Sequence, residues 1–353
     1  MKVARSYLET NLLSKHHMLG PTMQQKNSVA EIPVLDVSAL RGTCTHDLRG
    51  VTIEKLRHTL ETVGFIYLSN HGIDDELVER MRDAVVRFHD LPQEAKDRLL
   101  INRFHRGYIP ARSSTLRTSS VAEVTRPNRS DSLMIMHELA QADPAFLRGD
   151  PLQGANCWPE EFPELRTIAL DYMAALSALG RDMAVALAEA LGLLPTWFLP
   201  HFDRPTLFLR LLHYPHQGPV TEDAGIGAAP HTDYGFITIL AQDNSGGLEV
   251  QAKNGDWIPA PPIPGTFVMN VGDILSRWSN GRFASTPHRV INRSGNRRFS
   301  QPFFFDPSMD SVIECPSSLL QAGETPRMPP VRWGDYLMER LDRNYNYRNS
   351  PSQ

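Results

Sequence analysis

Between Leu207 and Phe305 the chain breaks into short β-branched and aromatic runs separated by glycine and proline turns. That is the pattern of an antiparallel sandwich or jelly roll. Upstream, from Ile32 to about Leu199, helical spacing dominates, with candidate helices over Ile53–Val63, Asp75–Phe88 and Pro163–Leu191. In the last of these Leu165, Ile168, Tyr172, Leu176, Leu179 and Met183 recur at helical spacing, which predicts a scaffold packed on the sheet. A final amphipathic helix over Val331–Tyr345, carrying Trp333, Tyr336, Leu337 and Leu341, is placed to cover one end of the barrel. The expected class is therefore α+β, a jelly-roll core with flanking helices.

The chemistry is concentrated in the β-rich part. In Pro230–Leu240 alternation puts His231 and Asp233 on one face of a strand, with Thr232 on the other. His288, in the strand-like run Phe283–Asn292, can supply a third ligand. Two imidazoles and one carboxylate are the set that holds non-haem Fe(II) while leaving positions free for oxygen and an organic ligand. Ten residues after His288, Arg298 and Ser300 share a face at the start of an aromatic run, and Phe304 shares their parity and should face the same cavity. A guanidinium clamps a carboxylate through parallel charge-assisted hydrogen bonds, and a neighbouring hydroxyl can join it. Each residue alone has a plainer reading: a turn cap for His231, a structural histidine for His288, a surface charge for Arg298. Their order and parity together describe a metal site for a chelating 2-oxo acid.

Composition sets the limits of the remaining possibilities. The chain has 353 residues, 41% of them hydrophobic, enough for a sizeable core. A net charge of −4 and the lack of a lysine and arginine stripe give no reason to expect nucleic acid. Cys44, Cys157 and Cys315 are widely spaced and odd in number, which fits a reducing, cytoplasmic setting and no disulfide framework. No apolar run reaches the ~20 residues needed to span a bilayer, so no membrane partner is expected. Residues 1–30 read as an extension, an ordinary helix or frayed segment, within which Met23 could be an alternative start. Oligomeric state stays open.

The segments Ile32–Asp36, Gly64–Ile73, Leu212–Pro215, Gly246–Val250 and Asn270–Asp273, with the His231, His288 and Arg298 segments, resemble the iron- and 2-oxoglutarate-dependent oxygenases of the isopenicillin N synthase-like group. The resemblance runs from about Glu31 to the C-terminal helix. It implies a double-stranded β-helix core, Fe(II) as cofactor, and 2-oxoglutarate and O2 as co-substrates. It also implies oxidation of a small molecule, by hydroxylation or by desaturation or ring formation, with release of succinate and CO2. Carried over, it makes His231, Asp233 and His288 the iron ligands, Arg298 and Ser300 the clamp for the distal carboxylate, and Tyr214 a co-substrate contact. Leu212 departs from the asparagine that plant members commonly carry two positions before that tyrosine. The implied organisation is one catalytic unit after the extension: a mainly helical region over 31–200, the jelly-roll core over 201–310, and a helix and tail over 311–353.

Substrate contacts are harder to read. The loop from Gly107 to His137 holds Tyr108, Arg112, Arg117, Arg126 and Arg129, and relatives build lids and substrate contacts there; a solvated surface loop is the rival reading. His71 is expected in a turn, His213 in a structural role, and His201 and His216 in loops, while Gln353 is discounted as a ligand. Three other functions stay in view: an oxidase of the same group that needs no 2-oxo acid, a silent binding protein on the same barrel, and a metal-dependent hydrolase or isomerase.

Overall fold

Alanine and leucine dominate the longest helix, α5 (Glu164–Leu191), and bury Leu165, Tyr172, Leu176, Leu179 and Met183 along one stripe, as the spacing predicted. The computed structural model describes residues 31–42, 46–119, 121, 123–216 and 226–349. The extension 1–30, Cys44 and Gln353 lie outside the described residues. Around α5 pack α1 (His46–Thr62) and α2 (Asp75–His89), the latter capped by the Asp74 side chain on the Glu76 N–H. Short helices α3 (Gln93–Asp97) and α4 (Pro144–Arg148) follow α2 and precede α5.

Eight strands form the main sheet. They are β1 (Val34–Asp36), β2 (Phe65–Ser69), β3 (Gly107–Ile109), β4 (Asp131–Met136), β5 (Thr206–Tyr214), β7 (Ile237–Gln242), β10 (Thr266–Val271) and β12 (Arg298–Asp306), in the order β1-β2-β10-β7-β12-β5-β4-β3. A four-stranded sheet, β6-β11-β8-β9, is built from β6 (Ile226–His231), β8 (Leu248–Gln251), β9 (Trp257–Pro259) and β11 (His288–Ile291). Helix α6 (Asp273–Trp278) follows β10, and a small pair, β13 (Val312–Ile313) and β14 (Val331–Arg332), leads into α7 (Trp333–Asn344). Region 31–200 is thus less helical than its spacing suggested, because β1–β4 join the main sheet. β2–β4 are short and buried on both faces, so they show no period of two, and β1, whose Leu35 alone is buried, is only three residues long.

Alternation divides the long strands between two cores. On β12, Phe299, Phe303 and Phe305 join the helices, while Arg298, Ser300, Pro302 and Phe304 face the interior cavity. On β5, Leu209 and Leu211 face the helices, and Arg210, Leu212 and Tyr214 face inward. A second, smaller core of Phe65, Tyr67, Leu212, Tyr214, Leu248, Val250, Val268 and Val290 joins the two sheets. Each such buried side chain contributes about 1.5–3 kcal/mol. The approach of α5 to β12 requires Gly180, where an added Cβ would lie 2.7 Å from the Phe305 ring. Residues 31–353 form one compact unit. Among the described residues, no helix is long and apolar enough to cross a membrane.

Candidate metal and co-substrate site

β6 ends at His231 and β11 begins at His288, and the two are cross-strand partners. Their rings lie 4.3 Å apart between centroids. Asp233 is not on the same strand as His231: the run Pro230–Leu240 divides into the end of β6, a turn, and β7 in the other sheet. The carboxylate therefore reaches the histidines through the crossing between sheets, not through strand alternation. Likewise residues 283–287 form a loop, and only His288–Ile291 of the expected strand is extended.

The donor atoms are set for a cation. His231 Nδ1 donates to Ala229 O at 2.7 Å and His288 Nδ1 to Thr286 O at 3.3 Å, since a carbonyl can only accept. Both Nε2 lone pairs are left to face Asp233 Oδ1, at 3.8 and 3.7 Å. The other carboxylate oxygen, Oδ2, accepts from Thr238 Oγ1 at 2.6 Å and Asn270 Nδ2 at 2.8 Å. Burial, with His288 alongside, pushes the His231 pKa down to about 4. Burial alone would raise Asp233, but the two imidazoles and the Thr238 and Asn270 hydrogen bonds hold it below its usual value. At neutral pH His231 is a neutral imidazole and Asp233 a carboxylate, the forms that bind a divalent metal, and His288 turns its Nε2 to the same point. All the ligand atoms lie within 4.8 Å of one another.

Arg298 is 1% exposed and incompletely paired. Its Nε donates to Gly246 O at 2.6 Å and its Nη1 to Ser300 Oγ at 3.2 Å, while the guanidinium sits 4.7 Å over the Tyr214 ring. Nη2 is buried with no partner. A buried guanidinium with an unpaired donor is costly until an anion completes it. Arg298, Ser300, Tyr214, Leu212 and Phe304 line the same cavity as His231, Asp233 and His288. An organic ligand that chelates a metal at one end and carries a carboxylate at the other fits between the two groups.

The segment between Gly107 and His137 is not one loop, since β3 and β4 occupy its ends. It reaches the cavity through Leu116, Asn128 and Ser130. Tyr108 is packed on the helical side, with its hydroxyl on Asp131 at 3.1 Å, and is absent from the cavity wall. Arg112, Arg117 and Arg126 are exposed and Arg129 half-buried, and none lines the cavity. Sequence reasoning missed Arg210, Thr238 and Asn270; the inward parity shared by Arg210, Leu212 and Tyr214 was the available signal for the first.

A second cluster, His89, Asp131 and His213, has comparable spacing. There His89 uses both nitrogens, on Asp131 Oδ2 at 3.0 Å and Leu211 O at 3.0 Å. His213 contacts Asp131 Oδ1 at 2.8 Å and accepts from Arg297 Nε at 3.2 Å. With every ring nitrogen occupied, this is a buried hydrogen-bond network, and His213 is structural. His71 accepts the Ile73 N–H in a turn, as expected, and His201 packs against Trp197 and Trp278.

The chain matches the 2OG-Fe(II) oxygenase superfamily over residues 205–307 and the family described as non-haem dioxygenase in morphine synthesis N-terminal over residues 32–161. It is 36% identical over 323 residues to a 2-oxoglutarate-Fe(II) type oxidoreductase of Emericella nidulans, covering 89% of this chain and 90% of the relative. To a homoarginine-6-hydroxylase of Oryza sativa subsp. japonica it is 32% identical over 336 residues, covering 89% and 97%. Among solved structures, the full-length Neurospora crassa protein in complex with alpha-KG and thymine is similar with a TM-score of 0.77 and 30% identity, over 90% of this chain and 98% of that one.

Proposed function

This chain belongs to the 2OG-Fe(II) oxygenase superfamily, and from that premise we propose that it oxidises a small organic metabolite, with His231, Asp233 and His288 holding the Fe(II). Arg298 and Ser300 bind the distal carboxylate of 2-oxoglutarate, and Tyr214 packs against that arginine. The observation that carries this assignment is the unpartnered, buried Nη2 of Arg298 in the cavity that also holds the three metal-ligating side chains.

Bound Fe(II), with 2-oxoglutarate and O2, supplies the oxidising power, and succinate and CO2 are released. The protein's part is positional. Ala229 O and Thr286 O hold the two imidazoles in the tautomer that offers Nε2. Thr238 and Asn270 restrain Oδ2 so that Oδ1 of Asp233 is the ligating oxygen. Phe65, Leu240, Leu248 and Val290 wall the cavity with apolar surface and exclude water. Hydroxylation is the primary outcome, with desaturation and ring formation as variants of the same hydrogen removal.

The test is anaerobic titration with Fe(II) and then 2-oxoglutarate, followed by a substrate screen with mass spectrometry. One succinate formed per substrate oxidised is the expected result. Iron-dependent oxidation without succinate would replace this reading with a 2-oxo-acid-independent oxidase, in which Arg298 holds a substrate carboxylate.

A further inference from the structure

Arg210 is a second cation in the interior with donors to spare. It lies on β5, opposite Met134 of β4, and its Nε donates to Ser132 Oγ at 2.9 Å. Its Nη2 is buried without a partner, and among the described residues no carboxylate forms an ion pair with it. The side chain lines the cavity of the metal-ligating trio and also a chamber that continues from it, walled by Met134, Phe208, Phe304, Leu337 and Leu341. His231, Asp233 and Leu116 line both parts too, so Arg210 stands where the metal site opens into the apolar chamber. Trp333, at the start of α7, lines the same chamber with a buried indole Nε1–H that also lacks a partner.

The two arginines are rooted at separate places on the cavity wall. Arg298 is the cross-strand partner of Tyr214, and Arg210 is four residues before Tyr214 on β5, a backbone separation of about 13 Å at ~3.3 Å per residue. Resting on the assignment of Arg298 to 2-oxoglutarate, we propose that Arg210 is the substrate anchor, and that the substrate is a small carboxylic acid whose apolar body lies in the chamber under α7. The planar fork pairs with a carboxylate through parallel hydrogen bonds, and the aromatic and aliphatic walls take the rest of the molecule. The carboxylate end is then held beside the metal-ligating side chains, so the carbon presented for oxidation is one close to it. A neutral substrate would leave this guanidinium buried and uncompensated, which is the costly state.

The experiment uses the full chain loaded anaerobically with Fe(II) and saturated with 2-oxoglutarate, so that Arg298 is occupied. Probes are monocarboxylic acids with aromatic, alicyclic and branched aliphatic bodies, phenylacetate among them, each compared with its primary amide by calorimetry. The parental protein should bind its best acid about 10- to 100-fold more tightly than the matching amide, the range of a charge-assisted pair. Arg210→Met should remove that preference while leaving 2-oxoglutarate affinity unchanged, and Arg210→Lys should restore part of it. Equal binding of acids and amides by the parental protein, or an acid preference that survives in both variants, overturns the proposal. A parental protein that fails to bind 2-oxoglutarate in the preceding titration overturns the functional assignment instead, and the acid comparison is then repeated with Fe(II) alone, so the two failures are told apart.

Discussion

Thr238, the second residue of β7, hydrogen-bonds Oδ2 of Asp233 at 2.6 Å and is the cross-strand partner of Asn270 of β10, which binds the same oxygen. Two neighbouring strands thus fix one carboxylate from behind. Thr238→Val keeps the shape and removes one donor. Fe(II) affinity should fall about 10- to 100-fold, as for other groups that orient metal ligands. Anaerobic metal titration measures it; an unchanged affinity would show that Asp233 needs no such restraint.

Asp233→Ala and His288→Ala each remove a donor that no nearby side chain replaces. Fe(II) binding and turnover should both collapse while circular dichroism stays that of the parent. Near-normal turnover in Asp233→Ala would remove the trio from the mechanism.

Arg298→Lys preserves the charge and loses the planar fork that spans Gly246 O, Ser300 and the incoming carboxylate. The apparent KM for 2-oxoglutarate should rise by roughly one to two orders of magnitude. Steady-state kinetics in 2-oxoglutarate tests this, and a KM equal to the parent's would assign the clamp to another ligand.

His137 is mostly enclosed, and burial, with Arg106 nearby, pushes its pKa down to about 4. Its Nε2 donates to Gln153 Oε1 at 3.2 Å while its Nδ1 accepts the Leu207 N–H at 3.5 Å, and with burial outweighing the Gln153 bond the folded protein holds it neutral. The unfolded chain takes up a proton below about 6.5, where the folded chain does not. This contribution is therefore intact above pH ~6.5 and is lost as pH falls towards 4, by at most about 3 kcal/mol. His137→Gln should flatten the loss of stability between those limits, read by urea denaturation at a series of pH values.

Gly180→Ala places a methyl against the Phe305 ring, itself packed between α5 and Phe202. Helix propensity favours the change by about 1 kcal/mol, but overpacking costs about 1–3 kcal/mol. A lower melting temperature is expected, and a raised one would show that the ring can yield.

The helices, the β-rich core and the class of chemistry were legible in the residues alone. The stripe from Leu165 to Met183 and the aromatic alternation of β12 are local periodicities, and local periodicity survives folding. Residue type and order were enough to single out His231, Asp233, His288, Arg298 and Ser300 as candidates, because few patterns combine metal donors with a carboxylate clamp. How the donors meet was not legible there, because it depends on contacts distant in the chain. Asp233 reaches His231 through a turn between sheets, and His288 reaches it through antiparallel pairing across 57 residues of chain. Strand parity cannot encode either arrangement. The same holds for Tyr108 and Arg210. Both lie on strands, one facing the helices and one facing the cavity, and which face is inside depends on the sheet that covers it. Parity with Tyr214 could mark Arg210 as sharing its face, but it took pairing with β4 and closure by α7 to leave its guanidinium buried beside the candidate metal site without a partner.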